Sequence, residues 1–208
     1  MDSKKIIEHM KNHKPSILGN QAFKEFSVLI PLIEKEDELH VLFEVRSLQM
    51  RRQPGEICFP GGKVDPKDQK VEDTAIRETM EELRVTRASI TNVYPFDYMV
   101  SPFGTIVFTF AGFLNGEASE LNPNPDEVEE VFTVPLSFFK ENHPEIHHVN
   151  FNVKPDDTFP FDLIPNGRDY DWSARAFEEY FYRYEDKVIW GMTARILYHF
   201  VEKLKEID

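Results

Sequence analysis

Phe59 to Val85 reads FPGGKVDPKDQKVEDTAIRETMEELRV, and its centre is Arg77-Glu78-Thr79-Met80-Glu81-Glu82. The three glutamates stand at i, i+3 and i+4. On a helix that spacing sets them on one side, within about one turn of each other. Like charges so close repel, by about 0.2–0.5 kcal/mol per i,i+4 pair even when exposed. A hard divalent cation relieves the repulsion. Mg²⁺ takes carboxylate oxygens and water, and is often held by one or two carboxylates together with substrate phosphates. The competing reading is a solvated acidic face. Two neighbours favour the cation: a Pro60-Gly61-Gly62 turn, which lets backbone approach a ligand closely, and Arg77, directly before the first glutamate.

Outward from that centre, the apolar spacing predicts a helix over about 71–83. Ala75, Thr79 and Leu83 share one face, with Ile76 and Met80 alongside, and should pack on a sheet. Asp65-Pro66 has helix-start chemistry, Asp as cap and Pro at the first helical position. Arg77 can bridge to Asp68 or to Glu81 and so orient the carboxylates, a supporting role rather than direct substrate contact. Upstream, Arg46, Arg51 and Arg52 cluster in a chain that is otherwise acidic. Guanidinium groups suit phosphate oxygens through bidentate bonds; the bland alternative is that they offset neighbouring carboxylates.

These residues resemble the Nudix box, G-x5-E-x7-R-E-U-x-E-E-x-G-U with U aliphatic. Gly62 opens it, Arg77, Glu78, Glu81 and Glu82 fill its R-E and E-E positions, and Val85 its last U. The chain departs from the pattern in three places. Asp68 takes the first acidic position with eight residues, not seven, before Arg77; Thr79 replaces an aliphatic residue; Arg84 replaces the glycine that usually ends the helix in a left-handed conformation. None removes a presumed metal ligand. Arg46-Ser47, Arg51, Gly55 and Phe59-Pro60-Gly61-Gly62 read R-S-x3-R-x3-G-x3-F-P-G-G. That run resembles the extended signature of the coenzyme A diphosphatase branch of the family. Ile189–Ala194 is similar to a family segment more loosely.

The resemblance implies an α/β fold, a Nudix-type α/β/α sandwich with a mixed central sheet flanked by helices. It implies Mg²⁺ or Mn²⁺, with Glu78 and Glu82 as principal ligands, Glu81 completing or bridging a second ion, and the Gly61 carbonyl as a further ligand. The catalytic set is then Glu78, Glu81, Glu82 and Arg77, with Arg46 and Arg51 meeting substrate phosphates. The implied reaction is hydrolysis of the diphosphate of coenzyme A or acyl-CoA to 4′-phosphopantetheine, or its acyl form, and adenosine 3′,5′-bisphosphate. Two alternatives stand beside it: a Nudix hydrolase of another nucleoside diphosphate derivative, such as ADP-ribose or a dinucleotide, and a non-catalytic Nudix-fold binding module. The general base is left open. Glu127, in an acidic loop entering a strand, is a candidate, against the reading of a solvated loop charge.

The remainder of the chain bounds these readings. Its 208 residues, 41% hydrophobic, suit a single domain spanning 1–208. A net charge of −13 argues against generic nucleic-acid or anionic-membrane binding. One cysteine, Cys58, allows no internal disulfide and fits a reducing cytoplasm; we read it as a small buried residue. No signal-peptide pattern or membrane-length apolar run is visible. Residues 4–13 should form an amphipathic helix packed on the body or on a partner, so a homodimer is possible. Ser27–Ile33 and Leu39–Val45 should form a hairpin, Ile90–Phe96 and Thr105–Leu114 two further strands, and Phe177–Tyr184 with Lys187–Trp190 a second hairpin. A last helix is expected over about 192–206. His143, His147 and His148 have the wrong spacing for a closed zinc site without cysteines. Residues 151–172 read as an insertion or lid, and Tyr170, Trp172, Tyr180 and Tyr182 could stack on adenine or line a channel, or pack in the core.

Overall fold

The computed structural model describes residues 2–172 and 175–207. In chain order the elements are α1 (Ser3–Asn12), β1 (Lys24–Lys35), β2 (Glu38–Arg46), β3 (Ile57–Cys58), β4 (Gly61–Lys63) and α2 (Val71–Leu83). There follow β5 (Ile90–Ser101), β6 (Thr105–Leu114), β7 (Val128–Pro135), α3 (Leu136–Glu141), β8 (Glu145–Phe151), β9 (Arg175–Tyr184), β10 (Lys187–Trp190) and α4 (Gly191–Lys205).

The apolar runs of β1 and β2 fold back on each other through Glu36-Asp37. Both residues have positive φ, 53° and 63°, the sense a two-residue type I′ turn requires. β1 and β2 stay paired only from the turn to Leu32↔Val41. Beyond that point they part, and residues 57–63 fill the gap. β3 pairs with β2 at Glu44↔Cys58, and β4 pairs with β1 at Val28↔Gly61. The Phe59-Pro60-Gly61-Gly62 run is thereby wedged into the sheet, with the Pro60 carbonyl accepting the Leu29 N–H at 2.9 Å. β6 runs parallel to β1 and β5 antiparallel to β6, so the seven-stranded sheet is mixed.

Both faces of this sheet are covered. On one, α2 buries Ala75, Ile76 and Leu83 against Leu29, Ile33, Leu42 and Phe110. On the other, α3 and α4 bring Phe139, Leu197, Phe200 and Val201 onto Ile30, Val41 and Phe43. A second, three-stranded antiparallel sheet, β10-β9-β8, contributes Tyr180, Tyr182 and Ile189 to that same side. The architecture is the expected α/β/α sandwich.

Two expectations need correction, at Asp65 and at the end of β5, and two open alternatives are resolved. Asp65-Pro66 starts no helix: the Asp65 side chain accepts the Lys67 N–H at 2.8 Å and its carbonyl the Asp68 N–H at 2.9 Å, a local turn. α2 starts at Val71, as the apolar spacing predicts, after Lys70, whose N–H is taken by the Asp73 carboxylate at 2.9 Å. β5 continues to Ser101, five residues beyond the expected end at Phe96. α1 forms as expected but has no buried residue, so its Ile6, Ile7 and Met10 stripe does not dock on the body. Tyr180 and Tyr182 are only 8% and 2% exposed, and Tyr182 packs edge-on to Phe139. They are core residues, as the packing alternative held; Tyr170 and Trp172 pack on each other in the segment before β9.

Candidate active site

α2 presents its acidic residues on two different sides. Glu82 points inward, 5% exposed, and its Oε2 accepts the Gly61 N–H at 2.9 Å. Glu78, one turn earlier, lies against Gly62. A Cβ there would stand 2.4 Å from the Glu78 carboxyl carbon, so only glycine admits that side chain undisturbed. Glu81 faces outward with its side chain 56% exposed, beside Arg77. The buried hydroxyl of Thr79 donates to the Ala75 carbonyl at 2.7 Å, which is how threonine serves in an aliphatic position.

Arg77 ties this group together. Its Nε and Nη2 donate to the two Asp68 oxygens at 3.3 and 3.1 Å, and Nη1 to Glu78 at 2.9 Å and Glu81 at 3.4 Å. The additional residue between Asp68 and Arg77 therefore leaves them in contact. The Arg77 bonds, then the Thr74 hydroxyl at 2.6 Å, hold the Asp68 carboxyl down at about 2.

The helix exit carries a second tie. Arg84 adopts φ 52°, ψ 42°, the left-handed conformation usually given to glycine. Its guanidinium donates to Asn124 Oδ1 at 3.2 Å, and the Asn124 N–H satisfies the Glu82 carbonyl at 2.8 Å. Asn124 also donates to the Glu127 carboxylate at 3.1 Å, and the Glu127 carbonyl accepts the Ser47 N–H at 2.8 Å. The 123–127 loop thus joins the end of α2 to the end of β2. There the Arg46 N–H and carbonyl bracket the 47–55 loop, meeting Glu56 at 2.9 Å and Gly55 at 3.0 Å. Arg46 Nε is buried without a partner, while Arg51 and Arg52 are exposed on the loop.

Sequence reasoning missed Glu44. It lies on β2, 1% exposed, and its Oε1 accepts the Cys58 thiol at 3.3 Å. The available signal was a lone acid in the apolar run L-H-V-L-F-E-V. Burial pushes the Glu82 carboxyl well above the ordinary carboxylate range, and the Glu44 charge pushes it further. Burial likewise raises Glu44 and, against the opposing pull of Arg77, Glu78. The Glu127 charge acts on all three. Burial, with the Glu44 charge next, also drives the Cys58 thiol far up, which agrees with an inert thiol.

Among the described residues, no three His, Cys, Asp or Glu side chains converge as a ready-made metal site. Glu82 is turned to the Gly61 amide and Glu78 to Arg77. The donor chemistry nevertheless fits a hard dication: carboxylate oxygens, desolvated and mutually repelling, with one oxygen, Glu44 Oε2, buried and unpartnered. Gly61 here offers its amide to Glu82. His147 and His148 are exposed on β8, away from any such set.

At Gly61 the close approach is to backbone. Its φ is 156°, and a Cβ would meet the Ser27 carbonyl oxygen at 2.4 Å and Val28 Cα at 2.7 Å. Gly61→Ala therefore has to push β4 off β1, and should cost about 1–3 kcal/mol in a urea melt. Wild-type stability would show that the sheet tolerates the displacement.

A helix carrying R-E-x-x-E-E, packed on a mixed sheet behind a glycine turn, is the arrangement of a Nudix domain. The chain belongs to the Nudix family: the NUDIX domain model matches residues 24–156. An uncharacterized Nudix hydrolase of Photorhabdus laumondii is 30% identical over 179 residues, 86% of this chain and 84% of the relative. A peroxisomal coenzyme A diphosphatase of Mus musculus is 40% identical over 124 residues, 60% of this chain and 51% of the relative. A mitochondrial coenzyme A diphosphatase of Homo sapiens is 35% identical over 116 residues, 53% of this chain and 48% of the relative. The alignments to the two named diphosphatases therefore span about half of those proteins. Among the described residues no helix is long and apolar enough to cross a membrane.

Proposed function

We propose that the chain hydrolyses the diphosphate linkage of coenzyme A or an acyl-CoA, releasing 4′-phosphopantetheine, or its acyl form, and adenosine 3′,5′-bisphosphate. The observation that carries this reading is the continuity of the arginine-bearing loop with the acidic helix. Arg46 ends β2, Phe59-Pro60-Gly61-Gly62 fills the gap between β1 and β2, and Gly61 and Gly62 touch Glu82 and Glu78. The names of the mouse and human relatives support the same substrate.

In this reading Glu78 and Glu82 hold Mg²⁺ or Mn²⁺, with the Gly61 carbonyl as a further donor and Glu81 at the exposed rim for a second ion. A divalent cation held there would supply charge neutralisation for diphosphate oxygens and a more acidic water. Arg77 holds Glu78 and Glu81 in place through its contacts with both, anchored on Asp68. Arg46 and Arg51 meet phosphate groups of the substrate, which lets an otherwise acidic protein accept an anion. The single cysteine fits a reducing compartment, and the peroxisomal and mitochondrial names of the relatives widen the choice beyond the cytoplasm.

A substrate panel with product analysis tests the proposal. Coenzyme A, dephospho-coenzyme A, ADP-ribose and a dinucleotide are each offered with Mg²⁺ or Mn²⁺. Coenzyme A should turn over fastest, with adenosine 3′,5′-bisphosphate as product. Much faster turnover of dephospho-coenzyme A and ADP-ribose would move the chain to another Nudix substrate class. Tight binding without hydrolysis of any of them would make it a binding module.

A further inference from the structure

Alternation along β2 turns Val41 and Phe43 to the side of α4, and Leu42 and Glu44 to the side of α2. Leu42 packs among the apolar residues under α2; Glu44, two residues on, is a carboxyl in the same layer. Burying an ionised carboxylate is expensive unless it is paired and hydrogen-bonded. Glu44 has one weak donor, the Cys58 thiol, on Oε1; its Oε2 is enclosed and has no hydrogen-bond partner. Yet the groups whose charges reach it, besides Arg46, include the carboxylates of Glu127 and Glu78, and its own charge reaches Glu82. A fold that only needed to fill this space would carry a leucine or a threonine. A buried acid, with a bare oxygen, facing the helix that carries Glu78 and Glu82 is what a cation between strand and helix requires.

We propose that Glu44 is a further carboxylate of the divalent-cation site, contributing its unpartnered Oε2 from the β2 side while Glu78 and Glu82 contribute from α2. This inference rests on the reading of Glu78 and Glu82 as metal ligands. It assigns to β2 a carboxylate of a site whose acidic residues the sequence motif places on the helix.

The test is Mn²⁺ titration of the full chain, followed by the loss of the free-ion electron paramagnetic resonance signal, for wild type, Glu44→Gln and Glu82→Gln. Melting temperature with and without Mn²⁺ and coenzyme A hydrolysis are measured in parallel. Glutamine keeps the shape of Glu44 and removes its anionic oxygen, so the metal-free variant should melt no lower than wild type. The expected result is an Mn²⁺ dissociation constant raised about tenfold or more in Glu44→Gln, together with a smaller Mn²⁺-induced rise in melting temperature. Wild-type affinity and a wild-type melting shift in Glu44→Gln would overturn the inference while leaving the Glu78–Glu82 reading intact. Failure of the wild type itself to bind Mn²⁺ would overturn both. If Glu44→Gln does not fold, Glu44→Asp, which keeps the charge but is one methylene shorter, decides on the same criterion.

Discussion

Glu82→Gln should lower metal-dependent hydrolysis of coenzyme A by about a hundredfold or more while the protein stays folded. Glutamine is isosteric, and its amide oxygen can still accept the Gly61 N–H, so the wedge between β1 and β2 is preserved. What disappears is a negative charge at the proposed cation site. A metal supplies several kcal/mol of transition-state charge stabilisation, and each ~1.4 kcal/mol is a factor of ten in rate. Because Glu82 is buried among like charges, a neutral side chain there should leave the metal-free melting temperature unchanged or higher. Steady-state kinetics in Mg²⁺ beside thermal melts separate the two effects. Undiminished turnover would remove Glu82 from the catalytic set.

The largest loss of stability is expected from Phe43→Ala. Phe43 is fully buried, stacked on Phe59 and Phe132 at centroid distances of 5.2 and 5.4 Å and edge-on to Phe139 at 6.0 Å. Truncation leaves a cavity at the junction of β2, β7 and α3, and should cost about 3–5 kcal/mol in urea denaturation. The consequence reaches the site as well. Phe59 is the first residue of the Phe59-Pro60-Gly61-Gly62 run, so losing its stacking partner loosens the backbone that sets Gly61 against Glu82. A cost below 1 kcal/mol would mean the four rings repack freely.

Periodicity made α2 legible to the residue, because Ala75, Ile76, Thr79 and Leu83 repeat with a helical period and face one apolar layer. The main hairpin was equally plain, since two apolar runs flank a short polar turn. Asp65 was misread because an aspartate that closes a turn and one that caps a helix use the same side-chain oxygen; only the following backbone distinguishes them. β8 was hidden for another reason. EIHHVNF has an exposed side chain at nearly every position, so it carries no alternation, and its pairing with β9 is decided across the sheet. At the candidate site, the glutamates and Arg77 were legible through their spacing. Glu44 was not, since its neighbourhood depends on β1 and β2 parting, and nothing in either strand announces where they separate.

The wedge of β3 and β4 and the layer built by β9, β10 and α4 have a bearing on where this protein can be cut. The family match stops at residue 156, but Tyr180, Tyr182, Ile189, Leu197 and Phe200, all later in the chain, roof the far side of the strands that carry Glu44. Thr193, at the start of α4, also donates to the Ile57 carbonyl at 3.1 Å, pinning β3 from behind. A fragment ending at the family boundary would strip that layer from Ile30 and Val41 and remove the Thr193 tie behind residues 57–63. The recognisable module and the smallest piece able to stand alone are therefore different lengths of polypeptide.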